Sequence, residues 1–212
     1  MQKKNESRFW VCARGAALLF ASFALSACSM DAEVSDDYMH SQERQIIAAL
    51  NEVRADPGGW CERNGLPMLD GTPAGEALHM TQTAGPLESK VGLFLSAKYW
   101  TKAMTASGQM SHDAMNSRFS KYGSWERKIG ENVGPSSIGV QASGPPDSDN
   151  NYGARVVNEF IRDRNVDGKG HRQNIMDADF RYVGISLNGG FVAMEFAAGY
   201  TSNPGLTGHE ED

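Results

Sequence analysis

Four side chains stand out, by type and by context, for metal or acid–base chemistry: His112, Glu131, Glu159 and His171. His112 lies in 108-GQMSHDAM-115 and His171 in 168-GKGHRQNI-175. Glu131 follows a glycine in 129-IGENVG-134, and Glu159 sits between apolar neighbours in 156-VVNEFI-161. Two neutral imidazoles with one or two carboxylates form a donor set for zinc or another divalent ion. With water in an open position, the same set suits metal-assisted hydrolysis, with Glu131 as the candidate catalytic base. The same atoms could equally form a hydrogen-bonded polar cluster that needs neither metal nor turnover. Three further histidines, His40, His79 and His209, fall in an expected tether, a glycine-containing loop and the tail.

Other reactive-looking features carry less. Asp163, Asn165, Asp167 and Gly168 match the opening of an EF-hand loop. Its twelfth position, which should be a bidentate Glu, is Asn174, so a turn made by Asx residues and Gly is the simpler reading. Cys61, in 60-WCERNG-65, has no histidine nearby in sequence to activate it. Ser111 lacks the G-x-S-x-G elbow of an activated serine. Arg172 and Asn174 read as structural partners of the turn, and Gly130 and Gly134 as places of close backbone approach or turning. Phe94, Tyr99, Trp100 and Phe196 read as core.

These residues need elements to position them. Ile46, Leu50 and Val53 recur at helical spacing in 41-SQERQIIAALNEVRADPGGW-60, with Ser41 as the cap and Pro57 with its glycines as the stop. Residues 61–86 read as an irregular loop. The segment 87–107 is apolar on nearly every side, which predicts a buried helix ended by Gly108. A shorter helix is expected over 113–123, capped by Asp113, followed by a strand centred in 126–134 and a loop over 135–153. Helical spacing returns in 154–164. Alternation in 181-RYVGISL-187, turn residues Asn188-Gly189-Gly190 and the apolar run 191-FVAMEFAAGY-200 predict a hairpin. Helices first and a hairpin last imply an α+β fold, not a parallel βαβ sheet.

The N-terminus reads as an export signal. Lys3, Lys4, Arg8 and Arg14 precede an apolar run, 15-GAALLFASFAL-25, too short to span a bilayer. It ends in 25-LSAC-28, small residues before a cysteine, the pattern of a bacterial lipoprotein cut before a lipidated Cys28. Removing residues 1–27 takes away four basic residues and one acid, so the net charge moves from −6 to −9. Such a charge excludes a nucleic-acid role and disfavours attraction to anionic lipid head groups. Cys12 leaves with the signal and Cys28 carries lipid, so Cys61 has no partner for an intrachain disulfide. The expected organisation is a signal peptide over 1–27, a tether over 28–40, one domain over 41–202 and a disordered tail over 203–212. A membrane attachment through Cys28 places the domain at the bacterial cell envelope, on the outer membrane in a diderm, because Ser29 is not Asp.

Several of these segments, taken in order, resemble the CAP superfamily, also called SCP-like: cysteine-rich secretory proteins, antigen 5 and plant pathogenesis-related proteins. The resemblance runs through 50-LNEVRADPGGW-60, 108-GQMSH-112, 130-GENVG-134, 170-GHRQNIMDADFRYVGIS-186 and 191-FVAMEFAAG-199, covering roughly residues 41–202 in the manner of a disulfide-free bacterial branch. It implies a three-layer α-β-α sandwich with a cleft of two His and two acids. His112, Glu131 and His171 match that set by position. Glu159, in 157-VNEF-160, matches the second acid although the Trp and Tyr of the family pattern are missing, and Asp163 is its alternative. The donor set of that cleft suits zinc or another divalent ion, and the resemblance adds a small, lipid-like ligand as an alternative occupant. A metal-dependent hydrolase of envelope peptide or ester bonds, and a module that docks an envelope protein beside an inert cleft, stand as alternatives.

Overall fold

In the computed structural model, the described residues are 39–66, 83–139, 151–163, 166, 168 and 170–211. The expected signal, Cys28 and most of the tether lie outside them, as do residues 67–82 and 140–150. None of the helices among the described residues is long and apolar enough to cross a membrane.

The first helix, α1 (Ser41–Ala55), buries Ile46, Leu50 and Val53 as their spacing predicts. Its start is tied to the sheet by Glu43, whose carboxylate takes the N–H of His40 at 2.8 Å and of Leu187 at 2.9 Å. This helix ends at Ala55, just before Pro57, as expected. Pro57 also opens a second helix, α2 (Pro57–Arg63), which is not expected from the sequence. Proline lacks only an N–H that the first helical turn does not use, and the Asp56 side chain takes the Gly59 N–H at 2.9 Å. The residues that close one helix therefore also start the next.

A two-residue strand, β1 (Glu88–Ser89), precedes the buried helix α3 (Val91–Ser107), which ends on Gly108 in the left-handed region at φ 67°. The next helix, α4 (Met115–Tyr122), begins after Ala114, a non-glycine residue at φ 53°. Asp113 is not its cap: its carboxylate accepts the Ser111 hydroxyl at 2.9 Å and its carbonyl accepts Arg118 Nε at 3.0 Å. Strand β2 (Gly123–Pro135), a short 3-10 turn (Ser136–Gly139), α5 (Tyr152–Arg162) and α6 (Gly170–Met176) follow. The hairpin β3 (Tyr182–Asn188) and β4 (Phe191–Ser202) turns on Gly189 and Gly190, both at positive φ as a two-residue hairpin turn requires.

The sheet order is β1-β3-β4-β2, with β1 parallel to β3 and the other pairs antiparallel. Successive β4 side chains alternate in their partners. Val192, Met194, Phe196 and Ala198 pack in one cluster with α1, α2, α5 and α6, whereas Ala193 and Ala197 pack with α3 and α4. Period-two alternation sends these sets to opposite faces. Helices therefore cover both sides, and the fold is an α+β, α-β-α sandwich. Helix α3 reaches the sheet because Gly184 has no side chain: a Cβ there would lie 2.1 Å from the Leu93 carbonyl carbon.

The tail differs from the expected disorder. Leu206 packs against Val91, Phe94, Leu95 and Tyr122, and the Glu211 carboxylate pairs with Lys121 at 2.8 Å. One apolar anchor and one paired acid give this short, acidic segment a place on α3 and α4, which its composition does not reveal.

Candidate functional site

The edge strand β2 carries the candidate acid Glu131 and, next to it, Asn132. The two are consecutive, so their side chains point to opposite faces, and each face meets one of the candidate histidines.

On the α3/α4 face, the Glu131 carboxylate is fully buried. Its Oε1 lies 2.8 Å from Nδ1 of His112, a side chain that is 55% exposed. Its Oε2 lies 2.7 Å from Nη2 of Arg118. Arg118 also holds Glu195 Oε1 at 2.6 Å through Nη1, and its guanidinium stacks 4.1 Å from the Trp100 ring centre. Glu195 is the β4 residue directly opposite Glu131. Two carboxylates thus share one buried guanidinium. Burial pushes Glu195 up to about 8; Arg118 opposes that rise and the neighbouring Glu131 adds to it. His112 itself sits on the segment between α3 and α4, where Trp100 Nε1 donates to the Ser111 carbonyl at 2.8 Å.

On the other face, His171 is the second residue of α6. Asp163 ends α5 in the left-handed region at φ 47°, one of the few residue types that tolerate it. That turn brings the Asp163 carboxylate onto the start of α6. Its Oδ1 lies 2.8 Å from His171 Nδ1, and its Oδ2 accepts the backbone N–H of His171 at 3.0 Å and of Arg172 at 3.4 Å. Phe160 meets the His171 ring edge-on at 5.0 Å. Asn132 donates to the His171 carbonyl at 3.0 Å, and Asn174 donates to Asn132 Oδ1 at 2.9 Å and to the Glu131 carbonyl at 3.2 Å. Gly130 permits this contact, since a Cβ there would lie 2.8 Å from Asn174 Oδ1. The Arg172 guanidinium is buried. Burial lowers its pKa, and the Asp163 charge partly restores it.

The structure therefore groups the candidates as two His–carboxylate pairs, not as a tetrad. His112 pairs with Glu131. The acid beside His171 is Asp163, not Glu159, which corrects the position match: Glu159 points to Arg162 at 3.2 Å and is partly exposed. Glu159 lies one helical turn before the residue whose left-handed backbone turns back towards α6. Among the described residues, no group of three or more His, Cys, Asp or Glu side chains could hold a metal ion. Both carboxylates face histidine Nδ1, and Glu131 is further engaged by Arg118, so each pair leaves a histidine Nε2 as its outward nitrogen. At either pair, a divalent ion would be held only in an open site completed by water or by a ligand's own donors. Glu131 is likewise sealed as a general base, because it is buried and both oxygens face a partner.

The remaining candidates are structural. Ser111 bonds Asp113, and Cys61 is buried, with burial pushing its thiol up. Asp163, read as the opening of an EF-hand match, turns inward to His171, while Asn165 and Asp167 lie outside the described residues. A separate cavity of about 330 Å³ is lined by His40, Glu43, Lys98, Lys102 and Glu211 among others, and by neither candidate histidine. Arg118 and Glu195 escape a reading of the sequence. One trace was available: Glu195 is the only charged residue in 191-FVAMEFAAGY-200.

By sequence, no family model and no curated protein matches this chain. By structure, it is similar to an extracellular protein containing an SCP domain from Bacillus anthracis, at 18% identity and a TM-score of 0.45, covering 74% of this chain and 40% of that one. It is also similar to a cysteine-rich secretory protein from Staphylococcus aureus, at 14% identity and a TM-score of 0.45, covering 74% of this chain and 38% of that one. The chain thus spans about two fifths of the length of each.

Proposed function

We propose that this chain is an exported, lipid-anchored CAP-type domain. In this reading, His112 and His171 bind a divalent ion or a small ligand at the edge of β2, without turning it over. One observation carries the binding reading: both histidines are held at Nδ1 by a buried carboxylate. A carboxylate only accepts, so in the neutral ring the proton sits on Nδ1 and Nε2 offers a lone pair. Histidines that bind metals are held in this way, by an outer carboxylate that fixes tautomer and ring direction. Zinc is the ion of choice for such nitrogens, with water filling the remaining positions.

Titration of the purified domain with zinc tests this, beside a His112→Ala/His171→Ala double variant. Binding by the wild type that is lost in the variant supports the reading, and equal binding by both sinks it. The anchor rests on 25-LSAC-28. Replacing Cys28 by Ala should release the protein from membranes, and unchanged membrane retention would contradict lipidation.

A further inference from the structure

We infer that Arg118 and Trp100 form the mount that presents His112, with Arg118 as a positioning residue that acts through Glu131 to set which ring nitrogen of His112 faces outward. The inference rests on the reading of His112 as a ligand-binding residue and adds two side chains to that site.

The geometry points there from both sides of His112. The carbonyl of the preceding residue, Ser111, accepts Trp100 Nε1 at 2.8 Å. The carbonyl of the following residue, Asp113, accepts Arg118 Nε at 3.0 Å. The two donors are stacked on each other, guanidinium over indole at 4.1 Å. The backbone on either side of His112 is therefore pinned by one rigid pair. The same guanidinium then reaches Glu131 Oε2 at 2.7 Å, leaving Oε1 for His112 Nδ1 at 2.8 Å. A buried carboxylate needs a compensating cation to remain ionised and in place. Arg118 supplies it, and its second nitrogen is anchored on Glu195 at 2.6 Å, so the fork cannot swing away. Its planar fork meets Glu131, Glu195 and Asp113 together, which a lysine ammonium on a single flexible stem cannot do.

The ring of His112 is over half exposed. An exposed imidazole is ordinarily free to rotate and to exchange tautomers. Here its orientation depends on groups it does not touch, which separates Arg118 from a residue that only adds stability.

The test uses the full chain labelled with nitrogen-15 and long-range proton–nitrogen spectra of the histidine rings at neutral pH. In the wild type, His112 should show a protonated Nδ1 and a bare Nε2. Arg118→Met should move His112 to a mixture richer in protonated Nε2 while His171, held by Asp163, keeps its wild-type pattern. Arg118→Lys should fall between the two. The inference is overturned if His112 keeps the wild-type tautomer in a folded Arg118→Met, or if His112 and His171 change alike, which would mean general loosening. Should Arg118→Met fail to fold, Arg118→Lys decides alone: a shifted His112 supports the inference and an unshifted one overturns it. Zinc titration forms a separate arm, with affinity expected to fall about 10- to 100-fold in Arg118→Met. A wild type that binds no zinc ends the metal reading of the site, whereas the tautomer result stands or falls without any metal.

Discussion

Asp163 takes both the ring Nδ1 and the backbone N–H of His171, at 2.8 and 3.0 Å, from one buried carboxylate. It therefore caps the start of α6 and fixes the imidazole ring in a single act. Replacing Asp163 by Ala removes both bonds and leaves buried donors unmatched, a loss of about 2–4 kcal/mol. Glu159→Gln touches only a partly exposed pair with Arg162 and should stay within about 0.5 kcal/mol of wild type. Urea unfolding of the two variants separates the assignments. A larger loss from Glu159→Gln would return the second acid to position 159.

Gly184 gives a test of the sandwich itself. Its missing Cβ would lie 2.1–2.3 Å from backbone atoms of Leu93 and Phe94, which cannot move without shifting α3 off the sheet. Gly184→Ala should cost about 3 kcal/mol or more, at the upper end of overpacking penalties. Gly58, in α2, has open space where a Cβ would stand, with nothing within 4 Å, so Gly58→Ala is the control. It should stabilise slightly, by up to about 1 kcal/mol, through helix propensity. Thermal unfolding of both variants reads the contrast.

What could be read from the chain divides by how local the cause is. The 3.6-residue period of Ile46, Leu50 and Val53, the Gly108 helix end and the Gly189-Gly190 turn are each set within a few residues, and the structure matches them. Pro57 stops α1 as expected, but proline also suits the first turn of a new helix, and the Asp56 side chain that caps α2 gave no signal of its own. Asp163 could be named only as the alternative to Glu159, because nothing in its neighbours marks a non-glycine residue for the left-handed region. Arg118 and Glu195 meet across 77 residues of sequence, a contact that no local pattern encodes. The site was thus legible in its histidines and in Glu131, divided between two acids beside His171, and opaque in the Arg118–Glu195 pair behind Glu131.

Stability should depend on pH through Glu195. Its carboxyl titrates at about 8 in the folded protein, against the ordinary 4.5, chiefly because burial disfavours its charge. The folded state then binds more protons than the unfolded chain between these values, so stability falls as pH rises from about 4.5 to 8. Above that window both states are ionised and the slope from this group vanishes. Glu195→Gln mimics the neutral form, and its unfolding free energy should decline less over the same interval. Urea midpoints measured from about pH 5 to 9 check this. A wild type and variant with parallel pH profiles would remove Glu195 from the explanation.

Arg54 ties α1 to the segment that follows His171. Its Nε donates to the Gly85 carbonyl at 2.7 Å, Nη1 to Ile175 at 2.7 Å and Asp177 at 2.9 Å, and Nη2 to Phe180 at 2.9 Å. It is fully buried, and burial lowers its pKa to about 10, with Asp177 opposing and Arg181 adding to the fall. Carbonyl oxygens satisfy the guanidinium here without a direct carboxylate bond. Arg54→Met fills the volume but leaves four carbonyls short of a donor, at a cost of about 3–5 kcal/mol. Arg54→Lys keeps the charge but loses the fork, and should recover only part of that. Because Ile175 belongs to α6, the loss should propagate to the helix that carries His171 and Asn174. Hydrogen exchange reads this directly: in Arg54→Met, amides of 171–176 should lose protection more than those of α3, to which Arg54 makes none of these bonds. Equal loss in both helices would mean that Arg54 supports the whole fold and has no particular hold on the His171 side of the site.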